Sequence, residues 1–298
     1  MSLGQFADFL NTISSDAFAS TTGGDRDHAG VHYTAAGRYA LSGLWPNLKP
    51  AKPYQACNLL SWWDAAKFAA WAGLRPMTEL EYEKAGRWPR KPVANEFAWG
   101  SAPIAKANYA LANEGKPDER IAENYSVTAG NASYDFTMPD LHGGAARGGV
   151  SAVPGSPMRV GIFATSDSGR VAAGASYWGI LELSGNVREQ LVTVGNVKSR
   201  EFAGTHGSGT WDVPADWPEA KYFAGAEKTV GGDDGLGSGL RGGFFGDMPF
   251  NLRLSDRSKA AFTAREASFS AHSRADQNGF RCVRTAPAER ATLIEGRR

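Results

Sequence analysis

Two carboxylates, Glu182 and Glu189, flank a Ser184-Gly185-Asn186 turn in the run Glu182-Leu183-Ser184-Gly185-Asn186-Val187-Arg188-Glu189. Carboxylate oxygens and turn carbonyls converging there suit a hard cation such as Ca²⁺, which accepts oxygen ligands at many spacings. The same residues also read as a strand, a turn and two solvated acids, and the pattern alone leaves both readings open. Other chemistry is thinly represented. His28, His32, His142, His206 and His272 form no HExxH motif and no i, i+4 pair, so no catalytic zinc is signalled. Gly237, Gly239 and Gly242 match the dinucleotide fingerprint in spacing. They follow a Gly/Asp loop rather than a strand, however, and Arg241-Gly242-Gly243-Phe244-Phe245 is no helix start. Cys57 and Cys282 lie far apart and form no CxxC, which predicts two buried free thiols rather than a disulfide or a zinc site.

Residues 3 to 13 place Phe6, Phe9, Leu10 and Ile13 at helical spacing and predict a short helix with one buried stripe. Ser61-Trp62-Trp63-Asp64 has the form of a capping box and opens a second helix that stops at Gly73. Thr78 and Glu81 repeat the device and open a third, which Pro89 must end. From about residue 100 to 240 the periodicity fades into glycine-rich stretches and short apolar pieces, so loops are expected to dominate. Asn278 to Arg284 reads as a closing strand with Phe280 in the core. No tandem repeat or Pro/Ser-rich linker divides the chain. One domain over 1–293 is therefore expected, with 294–298 a protease-site scar.

The 32 basic and 31 acidic residues nearly balance, so no electrostatic footprint calls for nucleic acid or an anionic membrane. No apolar run approaches the roughly 20 residues of a membrane span, and no signal peptide opens the chain. The chain is expected to be soluble. Its amphipathic start, Met1 to Phe6, suggests that an upstream segment is missing, so the compartment is left open.

Several stretches, taken in order, resemble the formylglycine-generating-enzyme (sulfatase-modifying factor) family. They are Cys57 to Ala65, Trp71 to Glu83, Phe97-Ala98-Trp99-Gly100, Ser184 to Glu189 (the "GNVWE" motif with Arg188 for Trp), Leu240-Arg241-Gly242-Gly243 and Gly279-Phe280-Arg281. The resemblance implies an α+β, C-type-lectin-like fold that is loop-rich, with short strands, about three short helices and termini that meet. It also implies a calcium site on Glu182, the carbonyls of Gly185 and Val187, and Glu189, with Glu182 replacing the usual Asn. The enzymes' two copper-binding cysteines fall at Asp247 and Leu252, so no copper is expected. The histidine triad of the related iron-dependent sulfoxide synthases has no matching cluster. The chain is accordingly expected not to be an enzyme.

Leu74 to Glu79, Leu191 to Asn196, Gly204 to Gly207 and Leu254 to Arg257 look most like the family's non-enzymatic branch, which includes the variable proteins of diversity-generating retroelements. In that branch adenine-directed mutagenesis diversifies the segment between "RGG" and "GFR", here 244–277. Met248, Lys259, Glu266 and Gln277 are residues the process cannot produce, so they are expected to be fixed. Phe244, Phe245, Gly246, Asp247, Phe250, Arg265, Ser268, Phe269, Ser270, His272, Ser273 and Asp276 are the candidate varying, ligand-contacting positions. Their mix of Phe with Ser, Asp, Arg and His resembles an antibody paratope. The expected partner is a protein or cell-surface ligand. The alternatives are an oxidoreductase with relocated chemistry and an unvaried lectin-like accessory module.

Overall fold

In a computed structural model the described residues are 1–14, 16, 41–43, 45–135, 157–218, 237–261 and 277–286. Helix α1 (Leu3–Thr12) starts at Ser2, whose hydroxyl accepts from the Gln5 amide while the Gln5 side chain returns to the Ser2 amide. Helix α2 (Trp62–Trp71) starts at the expected Ser61/Asp64 box and α3 (Glu79–Arg87) at the Thr78/Glu81 box. Each cap satisfies amides the first turn leaves unpaired and contributes about 0.5–2 kcal/mol. Pro89 lies just past the end of α3, as expected.

The strands are short: β1 (Leu41–Ser42), β2 (Lys49–Pro50), β3 (Arg75–Pro76), β4 (Ala110–Ala112), β5 (Arg120–Glu123), β6 (Arg188–Val192), β7 (Ser238–Arg241), β8 (Asn278–Phe280) and β9 (Cys282–Val283). Strand β6 is the centre of a three-stranded sheet, antiparallel to β7 and parallel to β8, and all five of its residues are buried. The closing strand is broken at Arg281: β8 joins β6, whereas β9 pairs with β3. The architecture is α+β, with few helices and short strands among the described residues.

Strand β7 lies inside a glycine-rich stretch expected to be loop. Gly239 explains the difference, because a Cβ there would sit 1.9 Å from the Ala260 carbonyl oxygen. Glycine is here the condition for pairing, since the 257–260 segment crosses the strand at backbone contact and Leu240 N donates to Lys259 O.

One apolar cluster gathers α1, α2 and β8: Phe6, Phe9, Leu10, Trp62, Phe68 and Phe280 are all buried in it, and Trp62 meets Phe280 edge to face at 6.5 Å. The Met1 nitrogen donates to the Phe280 carbonyl at 3.2 Å, joining the two ends of the described chain. Two further clusters lie around Trp99 and around Tyr82, and they reach the 252–254 loop through Leu252 and Leu254. Cys57 is buried as expected, whereas Cys282 is only partly so. No helix among the described residues is long and apolar enough to cross a membrane.

Candidate functional site

The turn before β6 is locked from both sides. Gly185 has φ +90, donates to Gly242 O at 2.7 Å, and a Cβ on it would lie 2.5 Å from Ser133 O. Asn186, also left-handed at φ 67, donates its amide to Ser133 O and accepts at Oδ1 from the Met158 amide at 2.9 Å. The Phe245 amide in turn donates to Asn186 O. The turn therefore fixes where the chain after Gly243 begins.

The two acids flanking it are not solvated. Glu189 is 3% exposed, and its Oε1 receives Arg281 Nε at 2.9 Å. Its buried Oε2 has no hydrogen-bond partner among the described residues. Glu182 is half-buried, with φ 58, and accepts from the Gly161 amide at 3.1 Å. Burial pushes its carboxyl up to about 7, with Arg281 pulling it back. Val187 sits half-buried between the acids. Glu182, Glu189, Val187 and Arg281 share a cavity of about 480 Å³ with Gln5 and Phe280.

A folded-state pKa above the ordinary 4.5 means that Glu182 supports the fold when protonated. Its contribution is full below about pH 4.5 and fades as pH rises through about 7. In metal-free buffer the parent is expected to lose about 1–3 kcal/mol more stability than Glu182→Gln between pH 5 and 7.5. Denaturant titrations of both chains at the two pH values measure this, and equal losses would remove Glu182 as the cause.

These groups suit a hard cation. The net charge of Glu182, Glu189 and Arg281 is −1 when both acids are ionised, and an orphaned, buried carboxylate oxygen is what such an ion satisfies. No group of three or more His, Cys, Asp or Glu gathers as a metal set among the described residues, so backbone carbonyls would have to complete the shell.

The second arrangement joins the turn to the following loop. Arg188 Nη2 lies 2.7 Å from both Asp247 oxygens, and Nε lies 3.0 Å from Oδ2. Arg188 Nη1 reaches the Gln277 Oε1, and the guanidinium lies 5.1 Å from the Phe244 ring centroid. Burial raises the Asp247 carboxyl and Arg188 pulls it back. Sequence reasoning treated Arg188 and Asp247 as separate departures. The signal that links them was their joint change, since both stand where the resembled enzymes carry something else. Leu252, the other cysteine-matched position, is fully buried among apolar residues. A carboxylate held by a guanidinium and a core leucine offer no thiolate, so the copper pair does not fit here.

Of the candidate contact residues, Gly246 is exposed, while Phe244 and Phe250 are half-buried. Phe245 is 7% exposed and packs edge-on to Phe244 at 5.1 Å, so its ring is closed to a partner. Asp247 is turned inward onto Arg188. Arg265, Ser268, Phe269, Ser270, His272, Ser273 and Asp276 lie outside the described residues.

Further anchors escaped sequence reasoning. The Arg241 side chain, fully buried, pairs with Glu79 at 2.7 Å and with Glu83, and donates to Leu254 O. Arg257 reaches the same Glu79 at 2.7 Å.

An α+β scaffold of short strands, with long loops pinned by capping boxes and internal ion pairs, is the class these features define. The model of the sulfatase-modifying factor enzyme 1-like domain matches residues 49–286, and the chain belongs to that family. A stretch of 76 residues is 40% identical to the hercynine oxygenase of Mycolicibacterium smegmatis, covering 25% of this chain and 17% of that protein. The expectation that the chain is not an enzyme is corrected by that finding: both the relative and the family are enzymatic, and a missing cysteine pair does not by itself remove the chain from that company.

Proposed function

We propose that this domain uses a C-type-lectin-like frame to display a ligand-binding surface on the loop after Gly243, as the variable proteins of diversity-generating retroelements do. The observation that carries the reading is a loop held at two points, with exposed residues next to each of them. At one end Asp247 is held by Arg188; at the other the Leu254 amide donates to Glu96 O and Arg257 is held by Glu79. Beside the clamps Gly246 and Ser255 are exposed; between Asp247 and Leu254 Met248 and Phe250 are half-buried and Leu252 is buried, and Phe244 precedes them half-buried. A rigid frame under exposed tips is how binding loops gain specificity without ordering costs.

The expected partner is a protein or cell-surface ligand. Sequencing the 3′ end of the gene across a population of source cells is the test. Substitutions concentrated at the candidate codons, each replacing an adenine of a nearby template repeat, support the reading; uniform codons without template or reverse transcriptase overturn it.

A calcium ion held by Glu182, Glu189 and the Gly185 and Val187 carbonyls belongs to the same proposal, where it would pin the turn that launches the loop. Calcium at a hundredfold excess over its Kd is expected to add about 2.7 kcal/mol to stability. Glu189→Gln should lose most of that gain, and equal melting temperatures with calcium and with chelator would reject the site.

An oxidoreductase is the second reading, favoured by the identity to hercynine oxygenase. Oxygen uptake with hercynine or a thiol peptide, assayed with added iron(II) or copper, would establish it.

A further inference from the structure

Away from that loop, the end of α3 and two following segments build a small basic cavity. Arg87, Arg90, Lys91, Glu96, Arg170 and Tyr177 line about 260 Å³, below the roughly 300–1,000 Å³ of sites that enclose a whole ligand. It is sized for one functional group. Glu96, 3% exposed, faces Arg87 Nε at 3.0 Å, and Arg87 also meets Glu83 at 3.0 Å, so these charges offset one another. The surplus is cationic. Arg90, Lys91 and Arg170 make no ion pair among the described residues, and Arg170 spends one N–H on Trp99 O at 2.7 Å, which fixes its guanidinium.

Beside the cavity stands an exposed aromatic shelf. Tyr177 is 40% and Trp178 50% exposed, neighbours in sequence and edge to face at 5.2 Å. Trp88 stacks on Trp178 at 5.5 Å with 13° between planes, and Arg90 lies 5.5 Å from the Tyr177 ring centroid. The rings are held in place by one another, so little freedom is lost when a flat group lands on them. Guanidinium forks recognise oxyanions bidentately, and exposed Trp and Tyr beside Arg are the residue types on which recognition energy concentrates.

The geometry points to a second ligand site: a slot for an oxyanion carried on a planar ring, the anion held by Arg90, Lys91 and Arg170 and the ring resting on Tyr177 and Trp178. It shares no residue with the candidate contact positions, so its failure would leave the loop reading untouched, and the reverse also holds.

Phenyl phosphate, inorganic phosphate and phenol are titrated into the full chain by calorimetry and indole fluorescence. Phenyl phosphate is expected to bind at least tenfold more tightly than phosphate, and phenol not to saturate. Trp178→Ala should abolish the tenfold preference yet keep the phosphate affinity, whereas the Arg90→Ala/Lys91→Ala pair should weaken both phosphates tenfold or more. All three positions are surface-exposed or nearly so, and unchanged melting temperatures establish that the variants fold. Equal affinity for phosphate and phenyl phosphate, no binding of either, or binding that survives both variants overturns the site.

Discussion

Replacing Arg241 by methionine is expected to lower folding stability by about 3–5 kcal/mol, the cost of removing one partner from a buried ion pair. Methionine fills much of the volume, so the loss is mainly one of charge. Arg241 joins α3, β7 and the 252–254 loop at one point: Glu79 and Glu83 come from the helix, Leu254 O from the loop, and the guanidinium lies 4.9 Å from the Tyr82 ring centroid. Glu79 would be left 2% exposed on its side chain, with the half-exposed Arg257 as its remaining cation and the Val194 amide donating to it at 3.1 Å, so the effect falls toward the lower end of the range. Urea denaturation measures it. Adding Glu79→Gln to the variant should restore part of the loss, because the stranded charge is gone. A single-variant cost under about 1 kcal/mol would mean that the network is not the anchor described here.

Asp247→Ala should produce a loss of the same size, about 3–5 kcal/mol, by a different route. Arg188 is 7% exposed on its side chain and Asp247 11%, and the alanine leaves the guanidinium with Gln277 and the face of Phe244 as its remaining partners. The Phe244 amide also loses its 3.1 Å bond to Asp247 Oδ2, so the start of the loop loosens. This bears directly on the binding proposal. A position whose exchange costs several kcal/mol cannot drift freely in a protein of ordinary marginal stability. Among folded variants of the segment, substitutions at Gly246 and Phe250 should therefore far outnumber those at Asp247. Free exchange of Asp247, with stability held within about 1 kcal/mol of the parent, would contradict the inward role the ion pair gives it.

What the sequence disclosed was local. Ser61/Asp64 and Thr78/Glu81 announce their helices because a cap and its return partner sit three residues apart, so the physics is complete within one turn. Strand β6 could not be found that way. Its Arg188-Glu189-Gln190 start reads as surface, and it is buried because Asp247, Arg281 and the carbonyls of Leu60 and Gly279 meet it from distant parts of the chain. Strand β7 failed for the reverse reason: Gly239 carries no side chain to signal a strand, and its value is the room it leaves for Ala260. At the candidate site the turn Ser184-Gly185-Asn186 was legible, and so were the carboxylates on either side. Their burial, the guanidinium between them and the Arg188–Asp247 clasp were not, because each depends on a partner dozens of residues away.

The bond from the Met1 nitrogen to the Phe280 carbonyl bears on how the chain is made. Helix α1 buries Phe6, Phe9 and Leu10 in the cluster that Phe280 completes. On a ribosome adding about 5–20 residues per second, the first helix waits roughly 15–55 s for its last partner. In that interval α2 can cover part of the stripe, since Phe68 and Trp71 lie against Phe9, but the cluster stays incomplete until Phe280 arrives. The helix thus leaves the ribosome well before the strand that completes its cluster, which makes part-made chains clients for a chaperone that holds amphipathic helices.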